Sequence, residues 1–79
     1  MYLSVINVIP EKNYFLKLTF ENGEIRMLDM KPYLNKGIFQ ELKKLNVFYS
    51  FRVSFDTIQW NNEADLDPEV LYLISEPIS

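Results

Sequence analysis

The chain has no cysteine and no histidine among its 79 residues. Disulfides, zinc fingers, cysteine nucleophiles and histidine-based triads or proton shuttles are therefore excluded. Only two glycines are present, too few for a glycine-rich phosphate-binding loop. No apolar run approaches the 18 residues that a membrane-spanning helix needs. Met1 leads straight into Tyr2-Leu3-Ser4-Val5-Ile6 without a basic stretch before an apolar one, so no signal peptide is expected and the cytoplasm is the simplest location. The net charge of −3 argues against general nucleic-acid binding, while leaving room for a local basic patch.

What is present is apolar and aromatic. Hydrophobic residues make up 48% and aromatics 15%, against the polar composition of disordered chains. A chain of this size buries only about 60% of its unfolded surface. Without disulfide or metal staples, one dense core has to hold it together. A single domain over residues 1–79 is expected.

Leu3 to Ile9, ending at Pro10, reads as a first strand with apolar residues on both parities, hence central or covered on both faces. Tyr14 to Phe20 alternates as a half-buried strand. Asn22-Gly23 then marks a hairpin, because both residues accept positive φ. A two-residue loop places Phe20 opposite Ile25 and Leu18 opposite Met27, with Thr19–Arg26 and Lys17–Leu28 on the other face. A bulged version of the same turn shifts that register.

Pro32-Tyr33-Leu34-Asn35 reads as a single turn. Ile38, Leu42 and Leu45 recur at helical spacing from Gly37 to Leu45, with Asn46 as a cap. Val47, Tyr49, Phe51, Val53 and Phe55 alternate as a long strand; Asp56-Thr57 turns, and Ile58 and Trp60 continue the apolar layer. Asn61-Asn62 allows a left-handed residue. Asp67-Pro68 is a helix start, with Asp as the cap and Pro at the first helical position. Val70, Leu71 and Ile74 form the expected buried stripe, and Pro77 ends the element. The expected class is α+β: a small, mainly antiparallel sheet of about five strands with two short helices.

Four stretches resemble the small bacterial family catalogued as domain of unknown function 2442. They are Phe20-Glu21-Asn22-Gly23; Gly37-Ile38-Phe39 with Leu42; Phe51 to Asp56 leading to Ile58 and Trp60; and Ala64-Asp65-Leu66-Asp67-Pro68-Glu69 with Leu71-Tyr72. The chain departs from the family pattern at Glu63, where members usually carry glycine before the Ala-Asp pair. The resemblance implies a standalone α+β domain, with no catalytic residues to carry over. It also implies a paired, toxin–antitoxin-like setting, since similar domains are often encoded beside another small protein. Some similar domains precede a helix-turn-helix DNA reader; no second domain to read DNA is expected here.

Each chemical reading competes with a structural one. Glu63, Asp65 and Asp67 offer oxygen ligands, but Pro68 interrupts the calcium-loop pattern and Asp67 serves better as a helix cap. Asp29 or Asp56 with Asp65 forms a nominal acid–base pair without a nucleophile beside it. Phe15, Lys17, Arg26, Phe48, Ser50 and Arg52 share one sheet face if the parities hold, which is the make-up of a single-stranded nucleic-acid platform or of a protein contact. Trp60 reads as core, and Tyr33, Leu34, Lys36 and Gly37 as a connection between sheet and helix. No cofactor and no metal is expected. The leading expectation is a non-enzymatic module acting through a protein partner or self-association. A nucleic-acid-associated regulator using Phe15, Lys17, Arg26, Phe48 and Arg52 is the alternative.

Overall fold

The alternating segment after Pro10 forms the centre of the sheet. In the computed structural model, which describes residues 3–54, 57–62 and 64–78, β1 (Val5–Pro10), β2 (Phe15–Phe20) and β3 (Ile25–Asp29) run antiparallel in succession. A strand absent from the sequence reading, Glu76–Pro77, pairs with β3 and completes the order β1-β2-β3-C-terminal strand. A second sheet of two strands joins β4 (Arg52–Ser54) to β5 (Thr57–Gln59); the C-terminal strand is therefore β6. The five-stranded sheet of the sequence reading is thus four strands plus two, within the expected α+β class. β1 is an edge strand, not a central one, and it is interrupted by a register shift between Val5 and Asn7. Its Ile6 is 60% exposed.

The β2–β3 turn decides which residues face the core. Gly23 N–H donates to Phe20 O at 2.9 Å, and Phe20 N–H to Glu24 O at 2.9 Å. The loop therefore has three residues, with Gly23 left-handed at φ 89°. This is the bulged form of the Asn-Gly turn. Leu18 stands opposite Arg26, Leu16 opposite Leu28 and Lys17 opposite Met27. One extra loop residue has exchanged the faces of β3 relative to a two-residue loop. Leu16, Leu18, Phe20, Leu28 and Met30 are fully buried together, and Arg26 lies on their side.

The middle of the chain departs furthest from its pattern. Gly37–Lys43 is a 3-10 helix, and only Leu42 in it is buried, with Phe39 partly so. Residues i and i+3 eclipse in a 3-10 helix. Phe39 and Leu42 therefore form the inward edge, while Ile38 and Leu45 of the expected stripe are 45% and 51% exposed. Lys44 is extended (φ −79°, ψ 121°), and α1 (Leu45–Phe48) follows as a single turn. Asn46 lies inside this turn and does not cap, and the expected strand from Val47 shrinks to β4. The reason is Phe48. In a strand it would share a face with Ser50 and Arg52; in the turn its ring is fully buried. It packs there at 5.2 Å from Tyr14 and 6.5 Å from Trp60, and its carbonyl accepts the Trp60 indole N–H at 2.9 Å. Burying so large an aromatic outweighs the local preference for alternation.

Trp60 is fully buried, as its parity with Ile58 predicts. After it, Asn62 Oδ1 accepts from Ala64 N–H, and its amide reaches Ile38 O and Glu41 Oε1, stitching the turn to the 3-10 segment. Asn62 is not among the positive-φ residues; among the described non-glycine residues these are Asn13 and Tyr14. Asp67 caps α2 (Pro68–Ile74): its Oδ1 accepts from Glu69 N–H at 2.9 Å, with Pro68 at the first helical position. Leu71 is the buried residue of α2, Ile74 is partly buried, and Val70 is 42% exposed. Pro77 does not simply end the helix; it belongs to β6.

Candidate functional site: the outer face of the sheet

The buried residues of the helical segments, Leu42, Phe48 and Leu71, all join the core on the inner side of the four-stranded sheet. The 3-10 turn Lys31–Tyr33 and Ile74 of α2 border the outer side at one end. The register places Asn7, Ile9, Phe15, Lys17, Thr19, Ile25, Met27 and Asp29 on that side. Glu76 joins them, because it stands opposite Met27.

A groove of about 500 Å³ opens at the β3–β6 end of this face. The sheet supplies Phe15, Met27 and Asp29; the turn after β3 supplies Pro32 and Tyr33; the C-terminal segment supplies Ile74, Glu76 and Ile78. One rim is electrostatically tied. Lys31 Nζ lies 3.0 Å from Asp29 Oδ1, donates to Asn13 O at 3.0 Å and sits 4.2 Å above the Phe15 ring. Lys36 Nζ lies 5.8 Å from the Tyr33 ring centre. The aromatic faces around the groove thus already carry cations from their own chain.

The basic–aromatic platform does not assemble. Phe15 and Lys17 stand on the outer face, but Arg26 points the other way and is 9% exposed. Its Nε donates to Ser75 Oγ at 2.9 Å and its Nη2 to Ser75 O at 2.6 Å, while its guanidinium lies 4.1 Å from the Tyr72 ring centre. Arg26 is a clasp that fastens the end of α2 to the sheet. Tyr72 in turn packs edge-on against Phe20 at 5.1 Å. Hydrogen bonding from the Tyr72 hydroxyl, then from Asn22, together with the nearby Arg26 charge, holds the Glu24 carboxyl below its ordinary 4.5. The same bond to Glu24 pushes the Tyr72 phenol above 10.0. Phe48 is core, and Arg52 belongs to the smaller sheet, where its Nη2 donates to Gln59 Oε1 at 3.0 Å. Ser50 Oγ is turned onto Val47 O.

The acidic residues are also dispersed. Asp29 is paired with Lys31, Asp67 is occupied as a cap, and the backbone of exposed Asp65 makes an isolated antiparallel β-bridge with Gln59. Glu63 and Asp56 lie outside the described residues. Among the described residues no cluster of three or more acidic side chains is placed to hold a metal ion, and no helix is long and apolar enough to cross a membrane.

Sequence reasoning missed Met27, Tyr33, Ile74, Glu76 and Ile78 as neighbours. The available signal was Glu76-Pro77-Ile78 itself. A proline with no N–H fits the non-hydrogen-bonded position opposite Arg26, with Ile74 and Ile78 flanking the Ser75-Glu76-Pro77 stretch.

No curated protein and no solved structure matches the chain. The family described as "Protein of unknown function (DUF2442)" matches residues 5–77. The chain belongs to that family.

Proposed function

We propose that this protein is a non-enzymatic, cytoplasmic interaction module of bacteria that binds a protein partner through the outer face of its four-stranded sheet. The observation that carries the reading is the open face itself. A sheet side that keeps Phe15, Ile25 and Met27 partly exposed, with a half-exposed Ile78 beside a groove, is the kind of surface that protein interfaces use. A paired, toxin–antitoxin-like arrangement with another small protein is the narrower form of this reading, and it rests on the family resemblance. The nucleic-acid alternative loses support from the placement of Arg26, Phe48 and Arg52 away from Phe15 and Lys17.

Site-specific photo-crosslinking in the host tests the proposal. A crosslinker at Met27 or Thr19 is expected to trap one dominant protein that survives nuclease treatment, while a crosslinker at the exposed Leu73 of α2 traps none. Adducts that vanish with nuclease, or equal trapping from both positions, would overturn it. So would a turnover activity abolished by Asp29→Asn or Asp65→Asn in a folded protein.

A further inference from the structure

The groove lies where the sheet leaves part of its own edge unpaired. Met30 N–H donates to Tyr14 O at 3.0 Å and Phe20 N–H to Glu24 O at 2.9 Å. The even-numbered residues along β3 therefore turn their backbone groups toward β2, and the odd-numbered ones turn theirs toward β6. On that side Ile25 O accepts from Ile78 N–H at 2.9 Å, and Met27 faces Glu76. Asp29 comes next, but β6 begins only at Glu76, because residues 68–74 are helical. Among the described residues the Asp29 N–H and C=O form no backbone hydrogen bond. Both groups belong to a residue that lines the groove.

The charged side chains lining the groove are the carboxylates of Asp29 and Glu76. Lys31 already engages Asp29, whereas Glu76 has no ion pair among the described residues. Met27, Phe15 and Ile78 supply apolar surface between these acceptors. An apolar channel ending in a carboxylate and a free carbonyl suits a long aliphatic stem with a cationic head. A guanidinium fits better than an ammonium, because its planar fork donates to two acceptors at once. The chain's net charge of −3 favours a basic partner at long range as well.

We propose that the groove formed by Met27, Asp29, Glu76 and Ile78 receives an arginine side chain presented by the protein partner, with Glu76 and the Asp29 carbonyl as its acceptors. The inference rests on the reading of the outer face as the binding surface and names what that surface recognises.

The test is a titration of the isotope-labelled protein with N-acetylarginine amide, followed by amide chemical shifts, with N-acetyllysine amide and N-acetylnorleucine amide as comparisons. Saturable shifts are expected at Met27, Asp29 and Glu76, with arginine binding about tenfold more tightly than norleucine, as charge-assisted bonds require. Glu76→Gln is expected to weaken arginine about fivefold and leave norleucine unchanged. Equal binding of arginine and norleucine, unsaturated shifts spread over Glu11, Glu41 and Glu69, or an unaltered affinity in Glu76→Gln would overturn the proposal. Failure of the titration with crosslinking from Met27 intact removes the arginine assignment alone. Failure of that crosslinking removes the reading beneath it.

Discussion

The hairpin from Phe15 to Asp29 and the stretch that begins at Val47 both carry alternating patterns, yet only the first keeps its pattern as structure from the start. In the hairpin each buried side chain sits directly opposite another, Leu16 against Leu28 and Leu18 against the stem of Arg26, so local period and tertiary packing agree. In the middle segment one residue, Phe48, gains more from an aromatic cluster than the strand gains from continuing. A periodic pattern specifies a strand when both faces of that strand have somewhere to go. It fails when one large side chain has a better site within reach of a single turn.

The largest expected effect separates these two regimes. Phe48→Ala should destabilise the protein by about 3–5 kcal/mol, as loss of a buried aromatic does; urea denaturation measures it. On a solvent-facing strand the same change would cost less than about 0.5 kcal/mol. The second effect separates the faces of the hairpin. Arg26→Met should cost about 2–3 kcal/mol, because Ser75 loses two bonds to a charged donor. Lys17→Met on the outer face should stay within about 0.5 kcal/mol, measured the same way. A smaller loss, about 1 kcal/mol, is expected for Gly23→Ala. No atom would touch the added Cβ, so the cost is the positive φ alone.

The smallest effect is one of pH. Glu24 has its pKa lowered on folding, so its contribution is present above its unfolded pKa and lost as pH falls through the folded value. Tyr72 has its pKa raised, so its contribution is present below its unfolded pKa and lost as pH rises through the folded value. Denaturation midpoints should therefore decline at both extremes, below the ordinary 4.5 of the carboxyl and above the ordinary 10.0 of the phenol. Tyr72→Phe should flatten both limbs, since each of the two groups is the leading cause of the other's shift.

Much of the fold was legible because its signals are short-range. Asp67-Pro68 names its own helix start, Asn22-Gly23 its own turn, and the alternation from Tyr14 to Phe20 its own strand. What was not legible depends on distant partners. The loop length at Asn22-Gly23 follows from Arg26 finding Ser75, 49 positions away. β6 is two residues long and exists only because β3 offers an edge. Ile38, Leu45 and Val70 fit a helical stripe, but the 3-10 segment and the short α2 bury Leu42 and Leu71 instead. The candidate site shared this fate. Phe15 and Lys17 were visible from parity, whereas Tyr33 reaches the groove from the turn after β3 and Ile74 and Glu76 from the C-terminal segment.

The central claim is that the three-residue loop turns Arg26 inward and Met27 outward. It decides both the clasp and the groove. Residues opposite one another at non-hydrogen-bonded positions bring their α-protons together. A nuclear Overhauser spectrum should therefore show α-proton cross-peaks for Thr19–Ile25, Lys17–Met27 and Phe15–Asp29. Cross-peaks pairing Phe20 with Ile25 or Leu18 with Met27 would put the two-residue loop in place, expose Arg26 and remove Met27 from the groove, contradicting the account.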